Sequence, residues 1–266
     1  MKWEFTPDEF IHLWKETGQD RYPPPLRLRS SAQWRDDHTR LTTTLNARLH
    51  RDDPDLTAAL RLSAHPDSAL TLTGLRRHPL RAYAAVTNDI AVTLVQRPST
   101  RTDTGGNIII ESGTPPLIVS VFSAVLGTAP PGTVQSATTP SPIDHDPAAR
   151  AETFSPPANP NIATAEADHH RPHRITPLPP RGREIADTRP PDLARILRLA
   201  HTRPSAHGDL TARHHLRTDH PTPPRHLHWF DVTGDGRYTV HHRNGHLHIT
   251  PCSPDTLRRC IIQLLR

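Results

Sequence analysis

Pro54-Asp55-Leu56-Thr57-Ala58-Ala59-Leu60-Arg61-Leu62 and Pro191-Asp192-Leu193-Ala194-Arg195-Ile196-Leu197-Arg198-Leu199 share six of nine residues at an offset of 137. Each opens with proline at a first helical position and continues with leucines at helical spacing. The stretches downstream of the two copies are also alike. After the first come short alternating runs over 69 to 75, 79 to 87, 90 to 97 and 107 to 111. Turn signals separate them at Arg77-His78-Pro79, Asn88-Asp89 and Gly105-Gly106. After the second come runs over 209 to 217, 226 to 232, 237 to 243 and 246 to 250. A proline-started helix closes each set, from Pro115 to about Leu126 and from Pro254 to Leu265, and the two starts differ by 139. Val86-Thr87-Asn88-Asp89 echoes Val232-Thr233-Gly234-Asp235 at hairpin turns, and Asn244-Gly245 reads as a type I′ turn. Connections this short leave no room for crossovers, so the strands are antiparallel. The expectation is an α+β fold of two quasi-symmetric helix, four-strand, helix halves, with an antiparallel sheet covered by helices on one face.

The N-terminus adds a helix. Thr6-Pro7-Asp8-Glu9 is a capping box, and Phe5 and Phe10 are placed for a hydrophobic staple. Phe10, Leu13 and Trp14 form one stripe, and Gly18 ends a helix over 7 to 17. Tyr22-Pro23-Pro24-Pro25 is an extended connector. A second amphipathic helix is expected over 31 to 49, with Trp34, His38, Leu41, Leu45 and Leu49 at helical spacing, and Asp53 caps a third over 54 to 64.

Proline is concentrated between the copies: residues 127 to 191 hold 14 of the 30. Few large apolar residues occur there and none keep a period, so 127–189 reads as a largely disordered linker with at most a short helix near 161 to 170. The domain reading is 1–126, the linker, and 190–266, with the two outer parts packing as one domain.

Composition excludes several classes. Two cysteines, Cys252 and Cys260, cannot make a disulfide framework. No signal peptide is visible, and the apolar run from Leu117 to Leu126 is well short of the roughly 20 residues a membrane span needs. The chain therefore reads as cytosolic, without membrane insertion. The formal charge of +5 comes from 32 basic against 27 acidic residues, and the arginines are scattered rather than gathered on one run. Nucleic acid is not the expected partner.

The sequence contains no nucleophile elbow, phosphate loop, dinucleotide fingerprint or His-Glu-x-x-His, so no catalytic residue and no cofactor is assigned. Eleven of the 20 histidines fall between His201 and His248, with His226/His228 and His246/His248 as same-face pairs. Such pairs can ligate metal, but a solvated strand face in a His-rich composition accounts for them, and no metal is assigned. Asp231-Val232-Thr233-Gly234-Asp235-Gly236 resembles the start of a calcium loop but lacks its second acid and closing glutamate, and reads as a hairpin turn.

One sheet face is more informative. Leu80, Ala82, Ala84 and Val86 alternate with Arg81, Tyr83, Ala85 and Thr87, and Ile90, Val92 and Leu94 with Ala91, Thr93 and Val95. The first set of each must pack on helices. The second is weakly polar, as are Thr239, Trp229, Phe230 and Tyr238 in the later copy. Left open, that face can dock a protein; the alternative is that the connector or another helix covers it. Tyr83, Thr93, Trp229 and Tyr238 are the candidate partner-binding residues.

The chain resembles the EspG family, cytosolic chaperones of ESX (type VII) secretion in actinobacteria. The resemblance rests on Trp3 to Phe10 with Trp14, Asp20-Arg21-Tyr22-Pro23, Asp53-Pro54-Asp55-Leu56, the Arg81 to Val95 hairpin, and Trp229-Phe230-Asp231 through Pro251-Cys252-Ser253-Pro254. It covers about 1–126 and 190–266, and residues 127–189 depart from it. It implies a mixed α/β fold with quasi-twofold symmetry and no catalytic motif. It also implies binding to helical secreted proteins, either PE/PPE-like or Trp-x-Gly hairpin dimers, which the chaperone keeps soluble and directs to the type VII secretion machinery. The partner surface implied is a patch on the sheet and the C-terminal helices, without individual residues. A nucleic-acid-binding regulator and a metal-dependent enzyme using the paired histidines are the alternative functions.

Overall fold

The computed structural model describes residues 1–49, 53–100, 104–140, 194, 204–243 and 246–266. Ten strands form one antiparallel sheet in the order β1-β5-β4-β3-β2-β7-β8-β9-β10-β6. They are β1 (Lys2–Phe5), β2 (Ser68–Leu75), β3 (Pro79–Thr87), β4 (Ile90–Gln96), β5 (Ile108–Gly113), β6 (Ala137–Pro140), β7 (Ala206–Arg213), β8 (Arg225–Asp231), β9 (Arg237–Arg243) and β10 (His246–Pro251). The five α-helices among the described residues are α1 (Pro7–Trp14), α2 (Arg35–Arg48), α3 (Pro54–Ala64), α4 (Pro116–Leu126) and α5 (Pro254–Leu264).

The duplication is visible in this order. β2 and β7 lie side by side at the centre, with Thr71 opposite Thr211 and Leu72 opposite Leu210. Each flank then runs outward through the remaining strands of its own copy. The sheet edges are β1, paired with β5 from Lys2↔Glu111 to Phe5↔Ile108, and β6, paired with β10 from His246↔Pro140 to Ile249↔Ala137. Both edge strands lie outside the four-strand units expected from sequence. In β6, residues assigned to the linker take a place in the sheet. Its companion Val134 is buried, and the backbone N–H of Val134 donates to the Tyr238 hydroxyl at 3.1 Å. The helices expected at 161–170 and 191–199 and the turn Asn244-Gly245 lie outside the described residues, except that Ala194 is helical.

Local chemistry explains where the helices begin. The capping box at α1 forms as expected: Glu9 N–H donates to Thr6 Oγ1 at 3.3 Å, and Thr6 N–H donates to the Glu9 carboxylate at 2.8 Å. The α-helix ends at Trp14, a 3-10 turn carries Lys15–Thr17, and Gly18 closes it at φ 72°. At α3, Asp53 Oδ1 accepts the N–H groups of Asp55 and Leu56, both at 3.0 Å. Its Oδ2 accepts the indole N–H of Trp3 at 2.8 Å, which ties β1 to α3. These bonds, that from Leu56 first, hold the Asp53 carboxyl below the ordinary carboxylate range. The second helix starts at Arg35 rather than 31, because Asp8 takes the Ser30 hydroxyl and the Ser31 N–H, both at 2.9 Å, and holds that stretch to α1.

Helices cover both faces of the sheet. On one face, α4 (Ile118, Phe122, Leu126) and α5 (Leu257, Ile261, Leu264) bury Leu70, Leu72, Ala82, Ala84, Leu210, Ala212, Leu227 and Trp229. On the other, α1 (Phe10, Leu13, Trp14) and α3 (Leu56, Ala59, Leu60) bury Tyr83, Ala85, Val92, Leu94, Ile108 and Ile110. A smaller cluster of Val134, Phe230, Tyr238, Val240 and Ile249 serves the second copy. The face read as open over the first copy is therefore covered, by helices that precede the strands in sequence.

Candidate partner-binding surface

All four residues proposed from sequence to meet a partner are core residues. Tyr83 is 5% exposed, Trp229 1%, and Thr93 and Tyr238 0%. They do not share a face either. The turn Asn88-Asp89 makes Thr87 pair with Ile90, which sets Tyr83 against Leu94 and Ala84 against Thr93. Thr93 thus lies with the alanines under α4, and Tyr83 lies under α3. A register that differs by one residue exchanges the faces of a strand, and the alternating pattern of each strand alone does not reveal it.

Three of these side chains have structural work, while the Thr93 hydroxyl is buried without a hydrogen-bond partner among the described residues. The Tyr83 hydroxyl donates to the carbonyl oxygen of Ser63 at the end of α3, at 3.1 Å, and burial pushes its pKa up. The Tyr238 hydroxyl donates to Asp235 at 2.5 Å, and Phe230 stacks on its ring at 5.4 Å between centroids. Trp229 lies across the paired glycines Gly74 and Gly208 at the seam of the two copies. A Cβ on Gly74 would stand 3.2 Å from the indole and 2.7 Å from the carbonyl oxygen of His207, so the seat needs glycine.

Above Trp229 lies Arg237, 4.9 Å from the ring centroid and 2% exposed. Its Nε and Nη2 donate to the two oxygens of Asp231 at 2.6 and 2.9 Å. Nη1 and Nη2 also donate to the carbonyl oxygens of Gly127 and Leu126, each at 3.0 Å. Those carbonyls end α4, where the helix dipole favours a cation. Asp235 accepts the Thr133 N–H at 2.8 Å and hydroxyl at 2.6 Å. Both acids of the calcium-like stretch are thus engaged in holding the chain together, and Gly234, at φ 77°, makes the turn.

The surface left to a partner includes the outer side of α4 and α5. Helix α4 carries no charged residue over its eleven positions and exposes Pro116, Ser120 and Ala124 along one line, with Leu117, Val119 and Val121 half-buried beside them. Helix α5 starts on Ser253, whose hydroxyl accepts the Thr256 N–H at 3.1 Å. It exposes Arg258, Arg259 and Gln263, and leaves Ile262 40% exposed. The outer side of α4 is therefore charge-free, whereas that of α5 is mixed, with Ile262 exposed near Arg258 and Arg259 and with Arg258 4.0 Å from exposed Asp255. In the sequence α4 is legible as the helix closing the first copy and as an apolar run too short to span a membrane; the missing charge on what would be its outer side is the further signal that it carries. Burial pushes the Cys252 thiol up to about 12 and raises that of Cys260, so both remain protonated and unreactive near neutral pH.

The histidine pairs separate. His226 bonds Thr211 at 3.1 Å and His228 bonds Asp209, while His248 bonds Thr138 at 3.0 Å on the opposite face of the sheet. Among the described residues no group of three or more histidines, cysteines or carboxylates is placed to hold a metal ion. Nor is any helix among them long and apolar enough to cross a membrane.

No curated protein matches this sequence. Among solved structures, the Mycobacterium tuberculosis type VII secretion system chaperone EspG5, determined in complex with the PE25-PPE41 dimer, has the same fold: TM-score 0.60 at 14% identity, covering 100% of this chain and 96% of that one. The sequence model of the EspG family matches residues 6–263. The chain belongs to the EspG family.

Proposed function

We propose that this protein is a non-enzymatic, cytoplasmic chaperone of type VII secretion that binds a helical PE/PPE pair, keeps it soluble and directs it to the export machinery. Family membership and the fold shared with EspG5 support this reading. The observations that carry it to a surface are the charge-free outer face of α4 and the exposed Ile262 of α5. A helical tip set on that face would lose apolar area to water at about 25 cal/mol per Å² with no buried charge to desolvate. Arg258 and Arg259 at the rim would steer acidic flanks.

Co-expression with the PE/PPE-type proteins encoded beside its gene tests the reading. The expected result is one complex containing all three chains on size exclusion. Elution of the protein alone, with each candidate pair shown to be soluble and folded in the same experiment, would overturn it.

A further inference from the structure

We propose that the second copy of the fold carries an acid-sensitive lock, in which His226 of β8 and His241 of β9, set among the other histidines of β8 to β10, keep that half of the sheet closed at neutral pH and loosen it, ahead of the first half, in acid. The two copies differ sharply here. Strands β8, β9 and β10 hold His226, His228, His241, His242, His246 and His248, whereas β3, β4 and β5 hold no histidine.

The placement sets histidines against one another. His241 stands directly opposite His248 in the β9/β10 ladder, and the rings of His246 and His248 are 6.5 Å apart on the same face. On the other face the rings of His228 and His242 meet edge-on at 6.2 Å. Like charges set directly across a ladder destabilise it. His248 also bonds Thr138 of β6, which adds a side-chain tie to the ladder that holds the edge strand.

The groups facing these rings among the described residues give the sign. His226 is exposed on its outer side but partly desolvated where it faces Arg213 and Asp209 of β7 beside His228; that desolvation, then His228, lowers its pKa, Asp209 opposes this, and Arg213 adds to the lowering. Burial lowers that of His241 too, followed by His248 and His228. Asp209, bonded to His228, is the acid that offsets one of the charges. A histidine whose folded pKa is depressed takes up its proton more readily in the unfolded state. Its contribution to stability is present above the unfolded value of about 6.5 and is lost as pH falls below it.

Hydrogen exchange on the full-length protein at pH 7.5 and 5.5, corrected for the intrinsic pH dependence of exchange, reads the two halves separately. The expected result is that peptides from β8 to β10 lose about threefold or more protection between pH 7.5 and 5.5, while those from β3 to β5 keep theirs. The variant His226→Thr with His241→Val should reduce that loss. Equal loss in both halves of the wild type would overturn the proposal, and so would an unchanged acid response in a variant that folds normally at pH 7.5. The wild-type comparison stands by itself if the variant does not fold.

Discussion

Arg237, at the start of β9, donates a hydrogen bond of 3.0 Å to the carbonyl oxygen of Leu126, the last residue of α4, so the second copy of the fold holds the end of the helix that closes the first. The same guanidinium is paired with Asp231 and stacked on Trp229. Replacing Arg237 by Met leaves the largely buried Asp231 with the long Arg76 contact at 3.5 Å in place of its close pair, and takes a donor from the carbonyl oxygens of Gly127 and Leu126. Loss of one partner of a buried pair costs about 3–5 kcal/mol. Urea unfolding should show a loss toward the lower end of that range for Arg237→Met, because Arg76 still lies 3.5 Å from Asp231, and a smaller one when Asp231→Leu is added, because the poorly compensated carboxylate is then gone. A double variant less stable than the single one would contradict this account.

The outer face of α4 and α5 separates binding from stability. Ala124→Arg and Ile262→Asp alter exposed positions, so their melting temperatures should stay near wild type while co-purification with a PE/PPE pair drops at least tenfold. Tyr83→Ala should do the reverse, losing about 3 kcal/mol or more of stability as a buried aromatic is removed. If Ala124→Arg and Ile262→Asp retain full binding, the partner sits elsewhere.

Cys252 and Cys260 provide a chemical check on packing. With the first thiol at about 12 and the second also raised by burial, a thiol-specific reagent at pH 8 should label the native protein slowly and reach both sites only after unfolding in guanidinium. Fast labelling of Cys252 in the native protein would mean that the start of α5 is not packed as described.

The N-terminal capping box predicts a modest, local effect. Thr6→Ala removes the acceptor for the Glu9 N–H, and such losses cost about 1 kcal/mol. Calorimetry should show a small decrease in melting temperature, and exchange should rise first in α1. An effect as large as that of Arg237→Met would imply that Thr6 has a further role.

Much of the secondary structure was legible because its causes lie within a few residues. The caps at Thr6, Asp53 and Ser253, the turn at Asn88-Asp89 and the period-two alternation of β3 and β9 each depend on near neighbours. The nine-residue repeat, with the order of runs after it, was enough to show the duplication. Strands β1 and β6 escaped notice because four residues carry too little pattern to stand out. Phe5 was legible as a staple residue, and it does lie in the same cluster as Phe10, but it also closes the edge strand. Strand β7 begins and ends three or four residues earlier than its sequence pattern indicated. Its pairing with β2 starts at His207, and His214 turns away so that its ring bonds the carbonyl oxygen of Leu264 at 2.8 Å.

The candidate site marks the limit. Tyr83, Thr93, Trp229 and Tyr238 look on a strand like residues waiting for a partner, since an alternating run reads the same whether its second face meets water, another chain or a helix of its own. The amino-acid sequence settled most of the elements, their order and the duplicated run of strands, because backbone preferences and caps are local. Only the folded chain decided that α1 and α3 return to cover Tyr83, that one register sets Thr93 beneath α4, and that Gly74 and Gly208 let Trp229 sink beneath Arg237. Burial is a property of what arrives from far along the chain, and no short-range pattern encodes it.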